Sequence, residues 1–155
     1  MKFALLTDVP HLVPVIARWY FDEWGHGIAD NSFEKTCVRL NGKLNRDVLP
    51  IHVIALHDGQ PLGVAQLKPQ EMHDLFPERT PWLGGVYVPS SARNRGVASA
   101  LARQAALKAR SLQINQLYLQ TLRLDGGLYA PAGWQPLEQV TYQGLDILVM
   151  KKTLC

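Results

Sequence analysis

Two arginines, a glycine and two small residues stand in close order at Arg93-Asn94-Arg95-Gly96-Val97-Ala98, after an apolar run from Trp82 to Val88 and before a helical pattern. Residues of these types in this order suit the capture of a bulky anion. The first turn of a helix leaves its N–H groups without intrahelical partners, at the positive end of the helix dipole. Gly96 lets an anion approach the backbone, Val97, Ala98 and Ser99 keep large side chains out of its way, and Arg93 and Arg95 add positive charge beside the amides. A diphosphate is the anion this pattern fits best.

The elements that must position the loop are legible on both sides of it. Trp82 to Val88 is short, carries aromatic and β-branched residues, and is stopped by Pro89-Ser90-Ser91, as a strand should be. In the following segment Ala98, Leu101, Ala102, Ala105, Ala109 and Leu112 share one helical face, and Ser99, Arg103, Gln104 and Lys108 the other, with Leu107 a misfit. Asn115 to Thr121 alternates as a strand, and the helical crossover makes it parallel to the Trp82 strand.

Upstream, Lys2 to Thr7 reads as a strand and Asp8 as the cap of a helix that carries Leu12, Val15, Ile16 and Trp19 and ends near Asp22-Glu23-Trp24. Asn31-Ser32-Phe33-Glu34 opens a second helix. Pro50 to Leu56 and Pro61 to Lys68 form a hairpin on Asp58-Gly59, and Glu71 to Pro81 is a loop. Downstream, Asp125 to Ala132 predicts an irregular short helix, and Trp134 to Tyr142 with Leu145 to Met150 an antiparallel pair that leaves Lys151 and Lys152 outside.

A chain of 155 residues, 47% apolar, is the size of one globular domain, and no apolar run approaches the roughly 20 residues of a membrane span. Residues 1–155 are therefore expected to form a single domain that neither crosses a membrane nor carries a secretory leader. The two cysteines, Cys37 and Cys155, make neither a disulfide framework nor a metal cluster, and a reducing, cytoplasmic setting is the default. A net charge of +3 with dispersed Lys and Arg does not support a nucleic-acid partner.

The hexapeptide Arg93-x-x-Gly96-x-Ala98, placed after a Val-Tyr-Val strand end, resembles the acetyl-CoA loop of the GNAT superfamily of N-acyltransferases. Tyr129-Ala130-Pro131-Ala132-Gly133-Trp134 resembles that family's second motif. The resemblance implies the acyl-CoA N-acyltransferase fold, an α+β (three-layer α/β) arrangement in which a mixed, mostly antiparallel sheet of about seven strands is flanked by about four helices. It implies acetyl-CoA as co-substrate, no metal, and an amine acceptor, either a small molecule or a peptide N-terminus. A homodimer through the last strands, common in the family, is left open.

On the same resemblance the pantetheine arm lies where the parallel strands part, paired with the backbone of Val86, Tyr87 and Val88, while Arg93 to Ser99 hold the diphosphate. Gly84-Gly85 predicts a bulge or a close backbone approach beside the thioester. Tyr129 stands where the family has the tyrosine that protonates the departing thiolate, although Pro131 inside the motif leaves its aim in question.

An ammonium acceptor must also lose a proton, and among Glu71, His73, Asp74, Glu23, His26 and His52, Glu71 and His73 lead because their loop enters the central strand. Trp19, Tyr20, Trp24 and Trp82 are an aromatic set able to clamp a cationic amine, with Glu23, Trp24, Trp82 and Gly84 as the substrate-side expectation. Glu23-Trp24 at the end of the first helix, with the run from Leu119 to Gly133, resembles the branch that includes protein N-terminal acetyltransferases. Aminoglycosides and polyamines are equally open as acceptors, with Asp22, Glu23, Asp30, Glu71 and Asp74 available to make the acidic site they need. A non-catalytic acyl-CoA-binding domain is the competing reading.

Overall fold

The computed structural model describes residues 1–154, so Cys155 and its relation to Cys37 lie outside it. Among these residues seven strands form one sheet: β1 (Lys2–Leu5), β2 (Ile51–His57), β3 (Gln60–Lys68), β4 (Trp82–Tyr87), β5 (Gln116–Thr121), β6 (Gln135–Tyr142) and β7 (Leu145–Thr153). Their order is β1-β2-β3-β4-β5-β7-β6, and only the β4–β5 pair is parallel. Three α-helices, α1 (Val13–Tyr20), α2 (Phe33–Asn41) and α3 (Val97–Ser111), and a short 3-10 helix, Gly127–Ala132, complete the expected layers.

Alternation along the strands splits the core in two. Val53, Ala65, Leu67, Leu83, Leu117 and Leu119 face α3, which presents Leu101, Ala102, Ala105 and Ala109 to them. Ile54 and Val64 face the opposite way, against Val13, Ile16 and Ala17 of α1 and Leu40 of α2. Leu107 is half exposed, as its place on the polar side of the helical pattern requires. Asp58 and Gly59 both adopt positive φ, the two-residue turn that matches the twist of the β2–β3 hairpin.

Ser32 caps α2, its hydroxyl accepting a bond of 3.0 Å from the Lys35 amide. Asp8 does not cap α1; its carboxylate pairs with Arg46, and a 3-10 turn, Pro10–Leu12, leads into the helix. Lys151 and Lys152 are also not outside the fold but continue β7, opposite Tyr118 and Leu117. Both heads find partners there: Lys152 Nζ donates to the Ala132 carbonyl at 2.9 Å, and Lys151 Nζ lies 6.0 Å over the Tyr118 ring.

Two irregularities shape the centre of the sheet. Val64 pairs with Tyr87 but Gln66 with Gly84, so β4 carries one residue more than β3 between these points, a bulge at Gly85–Val86. Gly85 takes φ +54, which a side chain tolerates poorly, and Tyr20 Oη donates to its carbonyl at 2.8 Å. Beyond the bulge, β4 and β5 diverge. They share one register pair, Trp82 with Tyr118, and toward their carboxyl ends the seam is open.

Candidate active site

A cleft of about 900 Å3 fills the gap between the diverging strands. Its floor is a row across the sheet, His52 of β2, Gln66 of β3 and Gly84 of β4, in register on the face that carries α1 and α2. One wall comes from the end of α1 and from α2, the other from Gln120 of β5, Tyr129 and the β6–β7 hairpin. The chain leaves α1 through a π turn, Phe21–Gly25, which brings Glu23 and Trp24 to the rim.

Glu71 is brought into the cleft by the segment between β3 and β4. That segment has neither helix nor strand, yet it is tied down: Thr80 Oγ1 donates to the Pro69 carbonyl at 2.6 Å and Gln70 Nε2 to the Pro77 carbonyl at 2.9 Å. Met72 is fully buried in a cluster with Trp82, Tyr118 and Val149 and anchors the next residue back. The Glu71 side chain is only 11% exposed; Oε1 accepts from Gln120 Nε2 at 2.8 Å, and Oε2 lies 3.8 Å from Lys68 Nζ with no hydrogen bond of its own. The carboxylate occupies the space over Gly84, where a β-carbon would come within 2.8 Å of its Cδ. Of the two leading base expectations, then, only Glu71 enters the cleft. His73, one residue past the Met72 anchor, is exposed and lines no part of it.

Tyr129 faces the same cleft from the 3-10 helix, its ring set edge-on to Trp134 at 6.0 Å. Burial first, and then the negative charge of Glu71, push its phenol up to about 12, so it carries its proton throughout the neutral range. The same two causes raise Tyr20 further. His52 is 3% exposed, and its Nδ1 has no partner. Burial, followed by the charges of Lys43 and Lys68, lowers its pKa to about 4 and keeps the imidazole neutral.

Three of the four expected aromatics gather together. Trp19 packs on Tyr87 at 5.5 Å, and Trp24, half exposed, lies 5.6 Å from Tyr20 and 6.3 Å from Tyr87. Trp82 does not belong to this set: its indole is fully buried in the neighbouring core cluster, 5.7 Å from Tyr118, and its N–H donates to the Arg79 carbonyl. It cannot touch an acceptor. The expected acidic cluster does not assemble either, since Asp22 pairs with Arg18 and Asp74 accepts from Tyr142, and neither these nor Asp30 line the cleft.

The loop before α3 fits a diphosphate. Gly96, the residue before the first helical turn, has φ +75 and open space where a β-carbon would stand, and no side chain caps the helix. The first helical bond runs from the Ala100 amide to the Gly96 carbonyl, leaving the N–H groups of Val97, Ala98 and Ser99 for a ligand. Arg95 and Asn94 are exposed beside them. Arg93 differs from expectation: its Nε donates to the Val88 carbonyl at 2.9 Å, so that carbonyl is already engaged and the guanidinium is drawn back over the end of β4. Val86, in the bulge, stands opposite no residue in the β3 register and lies where β4 and β5 no longer pair.

A profile of the Acetyltransferase (GNAT) family matches residues 13–127. The chain belongs to the GNAT acetyltransferase family. The matched stretch contains the loop at Arg93 to Ser99 and stops short of Tyr129. Solved structures with the same fold include a ribosomal-protein-alanine N-acetyltransferase from Brucella melitensis, 23% identical, with 99% of this chain and 100% of that one covered at a TM-score of 0.77. An aminoglycoside 6'-acetyltransferase type Ii is 18% identical, with 100% and 98% covered at 0.75. An aminoglycoside 6'-N-acetyltransferase complexed with coenzyme A is 16% identical, again with 100% and 98% covered, at 0.74. No curated protein matches the chain. Among the described residues of this GNAT chain no helix is long and apolar enough to cross a membrane.

Lys68, Gln120 and Met72 were not singled out by the sequence. The first two are ordinary polar positions on strands, and only the register between strands turns them toward Glu71. Met72 carries a weak signal, one of three apolar residues, with Leu75 and Phe76, in the loop from Glu71 to Pro81.

Proposed function

We propose that this chain transfers the acetyl group of acetyl-CoA to a primary amine by direct attack within a ternary complex, the amine belonging to a small molecule or a peptide N-terminus. The observation that carries this reading is the meeting of a buried carboxylate, Glu71, and a protonated phenol, Tyr129, in one cleft, where β4 and β5 separate. Acetyl-CoA supplies an acetyl thioester. The amides of Val97, Ala98 and Ser99, with Arg95 and Asn94 beside them, hold its diphosphate, and the backbone of Val86, at the open seam, pairs with its amide-rich arm.

Glu71 takes the proton from the acceptor ammonium, with Lys68 and Gln120 holding the carboxylate in place. A backbone N–H of β4 near Val86 stabilises negative charge on the carbonyl oxygen as the amine adds. As the adduct collapses, Tyr129 gives its proton to the departing sulfur and is restored by the second proton that the amine nitrogen sheds in becoming an amide. Trp24 and Glu23 at the rim and Gly84 on the floor border the acceptor.

An amine library read by thiol release from acetyl-CoA tests catalysis directly. The parent protein should turn over at least one amine, and Glu71→Gln should lower kcat/KM by on the order of 10²-fold. Tight acetyl-CoA binding without thiol release from any amine would instead identify a non-catalytic acyl-CoA-binding domain.

A further inference from the structure

The charges lining the cleft are unlike those a polycation needs. Its carboxylates are Glu23, exposed at the rim, and Glu71, which already faces Lys68. Against them stand Arg39 of α2 and Lys43, two residues past the helix's last residue, Asn41. Among the described residues neither cation has a carboxylate within ion-pair distance. Arg39 Nη2 bonds only neutral groups, Asn31 Oδ1 at 3.0 Å and Thr36 Oγ1 at 3.3 Å, and so spends no charge inside the protein. Lys43 and Lys68 line the same cleft as the His52 ring on its floor.

At that place the buried His52 Nδ1 lacks a partner. A buried polar atom without a hydrogen bond is costly, and its orphaned state in the lining of a cleft leaves it for a ligand to satisfy. Neutral imidazole with its proton on Nδ1 donates to an oxygen. Two cations without ion-pair partners on one wall and a neutral donor on the floor of the same cleft form a receptor for an oxyanion, and Arg39 contributes the planar fork suited to a carboxylate or phosphate.

We infer that the acceptor is a small amphoteric molecule, an amine that also carries a carboxylate or a phosphate, with its anionic end docked against Arg39, Lys43 and His52 and its amine presented to Glu71. The inference rests on the cleft being the acceptor site of the transferase proposed above. It separates this chain from acetylation of polyamines and aminoglycosides, whose several ammonium groups would meet Arg39 and Lys43 with like charge.

Thiol release from acetyl-CoA is to be measured with the common amino acids, each beside its own carboxamide, and with phosphoethanolamine, propylamine and spermidine. At least one anion-bearing amine should exceed its neutral counterpart by about tenfold or more in kcat/KM, corrected for the fraction of free amine, and Lys43→Gln and Arg39→Gln should each raise its KM about tenfold with kcat nearly unchanged. The better of the amino acid and phosphoethanolamine arms identifies the oxyanion. Preference for spermidine, propylamine or the carboxamides overturns the inference.

Melting of the coenzyme A complex is followed with the same compounds. Stabilisation by an anion-bearing amine, lost in Lys43→Glu, upholds the anion site even if no compound is turned over, and only the transferase reading then falls. No stabilisation and no turnover by any anion-bearing compound overturns the inference.

Discussion

Tyr129 and Glu71 line one cleft, and burial first, then the charge of Glu71, raises the proton affinity of the phenol. Because burial and Glu71 together hold the phenol near a pKa of about 12, deprotonation of Tyr129 contributes no alkaline limb to the rate below about pH 10. Tyr129→Phe should lower kcat by roughly 10- to 100-fold, at the low end of general-acid effects because a thiolate leaves tolerably unaided, and should keep acetyl-CoA affinity within about twofold. Steady-state kinetics with calorimetry checks both halves; an unchanged kcat removes Tyr129 from proton transfer. His52 has the opposite sensitivity. The unfolded chain gains a proton on this residue near pH 6.5, whereas the folded protein refuses it until about pH 4. Stability contributed by the neutral ring is thus complete above pH 6.5 and lost as the pH falls toward 4, by at most on the order of 3 kcal/mol. Melting curves across this window should be flatter for His52→Gln than for the parent, and equal slopes would show that the ring titrates normally.

At the scale of elements, the amino end of α3 and the bulge of β4 each do something a regular helix or strand does not. Arg95 is exposed and makes no contact that the fold depends on, so Arg95→Glu should leave the melting temperature alone and weaken acetyl-CoA binding by about tenfold, read by calorimetry, because a carboxylate then faces the diphosphate. Unaltered affinity would detach the loop from the phosphates. The bulge is more brittle. A β-carbon at residue 85 would lie 2.8 Å from Tyr20 Oη and 3.0 Å from Gln66 Oε1, on a backbone already at φ +54. Gly85→Ala should cost about 1–3 kcal/mol in denaturant unfolding, and a change of less than half a kcal/mol would show that the strand can straighten at no penalty. Both features were readable in advance, since a glycine pair within a strand and a glycine before a helical pattern are signals carried by neighbours in the chain.

For the molecule as a whole, legibility followed locality. The layer order, the hairpin at Asp58-Gly59 and the crossover that makes β4 and β5 parallel came from patterns a few residues long, and each is present in the fold. Long-range placement was harder. Trp82 looked available because it begins the central strand, but the strand's register points its indole into the cluster of Met72 and Tyr118. Glu71 and His73 looked equivalent because nothing in the chain announces that Met72, between them, is an anchor. The balance of charge in the cleft is likewise set at long range: Asp22 and Asp74 are engaged by Arg18 and Tyr142, while Arg39 of α2, Lys43 just past it and Lys68 of β3 line the cleft.

β4 and β5 are laddered together at one register pair only. A sheet clasped at one end and unlatched at the other is weakest along that seam, where amides lack the ladder that shields them elsewhere. Deuterium uptake by the Gly84–Tyr87 peptide should therefore be fast in the unliganded chain and slow once coenzyme A lies in the gap, the ligand serving as the strand that the sheet omits. The molecule then gains its last rung of rigidity from its own reagent.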